Sequence, residues 1–136
     1  TGGTVANLAR AMDACPETVF IGHGPGFWRE ISGDADTEPS DAPTSPIVPG
    51  GRLFPLFEQY PTLYADLSAG SGLRALERQG ERARDFVIRF AERLLFGRDA
   101  YGDLLHQFLK SLELPEDVQD AVYFGNARKL VPEGAK

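Results

Sequence analysis

The chain has 136 residues, 42% of them hydrophobic, and a formal net charge of -6 at pH 7. That length suits one modest domain with a packed core, and the acidic balance argues against a nucleic-acid partner, which asks for a basic patch. Apolar runs are too short for a membrane span of about 18 residues, so neither a membrane partner nor a secretory leader is expected.

In chain order, Thr4 is placed to cap a helix whose apolar positions, Val5, Leu8, Ala9 and Met12, form one stripe. Cys15 and Pro16 end it. Cys15 is the only cysteine; it cannot pair within the chain, which suits a reducing, cytoplasmic compartment, and it reads as a buried structural thiol. Residues 18–22 are continuously apolar and partly β-branched, the pattern of a strand covered on both faces, and they end at His23.

Residues 24–51 lose all periodicity and carry Pro25, Pro39, Pro43, Pro46 and Pro49. The segment from about 29 to 52 reads as a Pro-rich loop insertion within a domain of residues 1–136. Phe27 and Trp28 are expected to pack at the His23 strand end, with Trp28 in contact with substrate. The polar stretch 33–50 is expected to be mobile, since it offers little apolar area to offset chain ordering.

Residues 53–60 form a short helix, and 62–67 a second strand with Asp66 within it, read as a buried structural hydrogen bonder. A helical pair over 73–79 and 81–92 buries Phe86, Val87 and Phe90. Its arginines alternate with Glu77, Glu81, Asp85 and Glu92, which reads as a solvated, ion-paired face. A third strand ends at Asp99. Asp103 caps a helix that turns Leu104, Leu105, Phe108, Leu109 and Leu112 inward, with His106 mid-helix and not expected to ligate. Pro115 starts a last helix through Val122, and residues 126–131 close the chain.

This alternation of helix and strand predicts an α/β fold of βαβ units on a parallel sheet. Three parallel strands leave two open edges that must be paired or covered, so the pattern reads as part of something larger. His23 and Asp99 each follow an apolar strand. Chemistry in barrel and doubly wound folds sits at the carboxyl ends of such strands, and both side chains serve as acid/base groups and metal ligands. Ser68 lacks a nucleophile-elbow context, and Gly22-His23-Gly24-Pro25-Gly26 lacks the Lys and spacing of a phosphate loop.

Four stretches together resemble a known family: Thr18-Val19-Phe20-Ile21-Gly22-His23-Gly24, Leu63-Tyr64-Ala65-Asp66-Leu67-Ser68, Leu94-Leu95-Phe96-Gly97-Arg98-Asp99, and Gly125-Asn126-Ala127-Arg128-Lys129-Leu130. Their order and spacing resemble the carboxyl-terminal part of the amidohydrolase-related family of metal-dependent hydrolases and decarboxylases. The resemblance implies the last three βα units of a (β/α)8 TIM barrel, with His23 ending the sixth strand, Asp66 on the seventh and Asp99 ending the eighth. It implies a divalent metal, zinc foremost, with Asp99 as ligand and proton acceptor. His23 would be a second ligand or a catalytic group stabilising charge on the substrate. The family's paired histidines of the first strand, and its ligands on the fourth and fifth, have no counterpart here. Where the family usually has a small residue before the eighth-strand Asp, this chain has Arg98, a cation suited to favour an ionised Asp99 or to bind an anionic group of substrate.

The function so implied is hydrolysis of an amide, ester or lactone in a small-molecule substrate by metal-activated water. This chain would supply part of the enzyme and be inactive alone, needing an amino-terminal barrel segment or self-association to complete the sheet. The alternatives are a decarboxylase of the same family and a non-catalytic fragment or interaction module that needs a partner chain.

Overall fold

The computed structural model describes residues 5–131 and Gly134; Thr4, the expected cap of the first helix, lies outside them. Helix α1 (Val5–Ala14) leads into strand β1 (Phe20–Gly22). The crossover to β2 (Leu63–Asp66) carries α2 (Pro25–Trp28) and α3 (Leu53–Gln59). The next crossover, to β3 (Leu94–Leu95), carries α4 (Ser71–Glu77) and α5 (Gly80–Arg89). After β3 come α6 (Leu104–Ser111), α7 (Glu116–Asp120) and α8 (Asn126–Leu130), the last two joined by a π-helical turn, Ala121–Gly125.

The strands form one parallel sheet in the order β1-β2-β3, with Phe20 opposite Leu63, Gly22 opposite Ala65 and Asp66 opposite Leu95. Parallel neighbours need long crossovers, and the helical patterns between the apolar runs supply them. The chain is therefore a mixed α/β fold on a small parallel sheet.

Alternation along β2 explains how the sheet divides its side chains. Leu63 and Ala65 are fully buried, while Tyr64 and Asp66 stand on the other face, half-buried. Beneath Leu63, Leu67 and Leu94 lies an aromatic cluster of Trp28, Phe54, Phe57, Phe86 and Phe90. The Phe57–Phe90 and Phe86–Phe90 centroids lie 4.9 and 5.0 Å apart. Burying one such ring contributes about 1.5–3 kcal/mol, so this cluster is the main packing term that holds the crossover helices to the sheet.

Several expectations are corrected. Strand β1 begins two residues later than its apolar run, and Val19 and Ile21 are 42% and 51% exposed; as an edge strand it is not covered on both faces. Strand β3 ends at Leu95, so Asp99 lies in the following loop. Cys15 is exposed rather than buried, because α1 ends at Ala14 with its apolar stripe on another face. Asp103 precedes α6 but its side chain makes no capping bond, and Leu104 is 68% exposed while Leu109 and Leu112 point inward.

The arginine-rich stretch is not uniformly solvated. The Arg78 side chain is only 2% exposed, and Arg93 is part-buried with its guanidinium 5.0 Å from the Phe57 ring and 2.9 Å from the Tyr60 carbonyl. Burial disfavours the charged form of Arg93 and lowers its pKa.

The segment 33–50, expected to be mobile, packs onto the body through polar anchors that hydropathy does not register. Arg78 donates to the Ser45 carbonyl at 2.7 Å, and the Ser32 hydroxyl accepts from the Val48 N–H at 2.8 Å. Ile47 and Ala35 are buried. Arg52 closes the base of the segment with bidentate contacts to Glu30, at 2.5 and 3.0 Å, and to Asp36, at 2.9 and 2.7 Å.

Candidate functional site

The carboxyl ends of β1 and β2 lie side by side, because Gly22 and Ala65 are register partners. His23 follows β1 and Asp66 ends β2, so the register brings their side chains together. His23 Nδ1 lies 3.1 Å from Asp66 Oδ2. Ser68 wraps back on the same carboxylate: its N–H donates to Oδ1 at 2.9 Å and its hydroxyl donates to Oδ2 at 2.7 Å. Trp28 Nε1 donates to the Asp66 backbone carbonyl at 3.0 Å.

A carboxylate only accepts, so Nδ1 carries the hydrogen and Nε2 is left to act outward. The imidazole is 47% exposed and the Asp66 side chain 27%. The arrangement is a histidine held in one tautomer by a carboxylate that is itself fixed by two hydrogen bonds from Ser68, with Trp28 holding the Asp66 backbone. It is not a serine triad: the Ser68 hydroxyl donates to Asp66 rather than to the histidine, so nothing withdraws its proton.

Close approach at β3 completes the backing of the pair. A side chain at Gly97 would place its Cβ 3.1 Å from Ser68 Cβ and 3.2 Å from Asp66 Oδ1. Gly22 is under a similar constraint, since a Cβ there would sit 2.3 Å from the Phe27 ring. In the loop after β2, Ala69 and Gly70 adopt φ 58° and 74°. A non-glycine residue held in this region is strained, and such strain gathers at ligand-binding loops.

Two cavities open at this end of the sheet. One, of about 250 Å³, is lined by His23, Trp28, Arg29, Ser71, Arg74 and Arg78 among others. The second, of about 140 Å³, lies between the loops that follow β2 and β3 and is lined by Ser68, Ala69, Phe96, Gly97, Arg98 and His106. The Ser68–Asp66–His23 chain of hydrogen bonds runs from the second cavity to the first.

Among the residues singled out by sequence, His23 and Trp28 meet in the larger cavity. Trp28 is 1% exposed and packs edge-on to Phe27, with centroids 5.4 Å apart. Asp99 is exposed, has φ 54°, and lines neither cavity. Arg98 does not bear on it as an ion pair among the described residues; its guanidinium donates instead to the Gly102 carbonyl at 2.6 and 3.0 Å, closing the loop. His106 pairs with the Tyr123 hydroxyl at 2.9 Å.

Asp66, expected as a buried structural hydrogen bonder, does bond to Ser68 and His23, and it is half-buried rather than buried. The Asp-x-Ser spacing of Asp66 and Ser68, where a carboxylate accepts the N–H two residues on, is an Asx-turn signal that marks the strand end. Ser71, Arg29 and Arg74 were not singled out at all; their shared cavity depends on the packing of α2 against α4.

A zinc centre takes three or four protein donors. Among the described residues no group of three His, Cys, Asp or Glu side chains stands close enough to hold an ion. Nδ1 of His23 is occupied by Asp66, which leaves one imidazole nitrogen facing the cavity. The described residues thus do not by themselves fit a metal centre. Comparison with known proteins finds no matching family model, no matching curated protein and no matching solved structure.

Proposed function

We propose that this chain is the carboxyl-terminal part of a hydrolase barrel of the amidohydrolase type, acting on a small molecule with an amide, ester or lactone bond. The observation that carries the reading is the His23–Asp66 pair, 3.1 Å apart at adjoining ends of parallel strands and open to a cavity. Asp66 orients the imidazole through Nδ1. His23 Nε2 then takes a proton from the attacking water and returns it to the leaving group, a role that typically contributes 10²–10⁴ in rate.

The parallel order β1-β2-β3 suits three consecutive strands of a barrel. The open edge of β1, with Val19 and Ile21 exposed, suits pairing with a further strand, from sequence beyond these residues or from a second chain. That same edge favours a second reading, a non-catalytic module that docks on a partner. The metal implied by resemblance needs ligands beyond those described. In this proposal the protein is cytoplasmic.

The test is to express this chain with the coding sequence upstream of Thr1 and assay activated esters, lactones and anilides with and without zinc. The proposal expects a His-x-His strand upstream and metal-dependent turnover that the 136-residue chain lacks. A longer protein with no such strand and no turnover would favour the docking module.

A further inference from the structure

The larger cavity holds polar groups that the fold itself leaves without partners. Arg29 Nε and Ser71 Oγ are both buried and make no hydrogen bond among the described residues. Buried donors are almost always paired, and an orphan asks for an explanation such as a ligand. Both line the cavity beside His23.

Positive charge converges on the same space. Ser71, Arg74 and Ala75 on α4, with Arg78 directly after it, fall at helical spacing and line the cavity. Arg29 lies on the facing wall, after α2. The Arg78 guanidinium is engaged by Ser45, Ser32, Pro46 and Asp34. Arg29 donates one Nη to the Glu38 carbonyl, and its other Nη lies 3.8 Å from the Asp41 carboxylate, itself 86% exposed. Arg74 is exposed and has no ion pair among the described residues. Asp34 pairs with Arg78, Asp41 lines the cavity beside Arg29, and Asp36 also acts on Arg29, so of the three guanidinium groups Arg74 alone makes no ion pair among the described residues.

We infer that this cavity binds the oxyanion group of a small molecule, a carboxylate or a phosphate, held by Arg74, Arg29 Nε and Ser71 Oγ. A planar guanidinium suits the paired oxygens of either group, and the Ser71 hydroxyl and Arg29 Nε–H gain the acceptors they lack. Trp28, Pro25 and Ala69 give the cavity an apolar side for the rest of the ligand. Bound there, the ligand lies against His23. The inference names the substrate class of the proposed hydrolytic site and rests on that reading for its chemical meaning; the binding itself is read without turnover.

The experiment is calorimetric titration of the 136-residue chain with benzoate, inorganic phosphate and, as an uncharged control, benzamide. Arg74→Gln and Ser71→Ala are titrated alongside, with thermal melting to show that each is folded. Arg74 is exposed, so its replacement leaves the packing intact. Saturable binding of benzoate or phosphate, with benzamide silent and Arg74→Gln weaker by at least about tenfold, supports the inference, and the preferred anion identifies the source. Ser71→Ala weakens the same anion by a smaller factor. Binding of neither anion by the parent chain, binding equal for benzoate and benzamide, or unchanged binding by Arg74→Gln overturns it. Loss of hydrolysis in a longer protein with anion binding intact would count against the hydrolase alone.

Discussion

Replacing Arg78 with Ala should release the Pro-rich segment from the body of the protein. The guanidinium is 2% exposed and donates to the Ser45 carbonyl at 2.7 Å. Longer contacts reach Ser32 Oγ and Ser45 Oγ at 3.3 Å, the Pro46 carbonyl at 3.4 Å and Asp34 at 3.5 Å. One well-formed bond from a charged donor is worth about 1.5–3 kcal/mol, and the longer ones contribute less. Breaking a fully buried pair costs about 3–5 kcal/mol. Asp34 is 23% exposed, so water replaces part of what is lost, and the balance is about 3 kcal/mol. When local opening is fast relative to cleavage, that difference raises proteolysis of the segment about 10²-fold. Limited digestion with mass mapping of the cut sites reads it directly. Parent protein should resist cleavage within residues 33–50, and Arg78→Ala should be cut there first. Arg78→Lys keeps the charge but loses the fork and should fall between. A parent chain cut in this segment as fast as unfolded chain, or an Arg78→Ala chain cut no faster than the parent, would refute the tether.

Three other outcomes follow from the same contacts. Arg52→Ala leaves Glu30, whose side chain is 8% exposed, without its cation; it should cost about 2 kcal/mol, below the fully buried range because Arg52 is itself half exposed, and an unchanged denaturation midpoint would remove the pair from the stability account. The Asp34 carboxyl is held below its ordinary value of 3.8 by the Ser32 hydroxyl and then by Arg78. A depressed folded value means stability that is fully present above the unfolded value and lost as pH falls through the folded one, so Asp34→Asn should flatten the acid limb of the stability profile below about pH 4; an unaltered limb would contradict it. Gly97→Ala brings a Cβ within 3.2 Å of Asp66 Oδ1 and should shift the His23 ring resonances in NMR spectra with little change in melting, whereas unmoved resonances would show that Asp66 does not lean on this glycine.

What the sequence made legible was the part of the fold written in hydrophobic periodicity. The stretches at 18–22, 62–67 and 93–99 each contain a strand, and Phe86, Val87 and Phe90 are buried as their spacing predicts. Boundaries were less legible. Strand pairing ends where the partner strand ends, so β3, opposite only Ala65 and Asp66, is two residues long although its apolar pattern runs further. Polar anchoring was not legible. An arginine buried against carbonyls, such as Arg78, has the same composition as one on a solvated face, and only the packing of α4 beneath the Pro-rich segment separates the two. The site shows the same division. His23 stood out as a reactive side chain after a strand, whereas Asp66 acquires its place from the β1–β2 register. Ser71 and Arg29 come to line one cavity only when α2 and α4 meet.

In the proposed hydrolysis His23, oriented by Asp66, moves the proton. This role is tested most directly by the turnover of His23→Gln in the longer, zinc-loaded protein, with thermal melting of the same samples. His23→Gln should lose about 10²–10⁴ in kcat at an unchanged melting temperature, with Asp66→Asn losing part of the same factor. Turnover near that of the parent in His23→Gln would contradict that role.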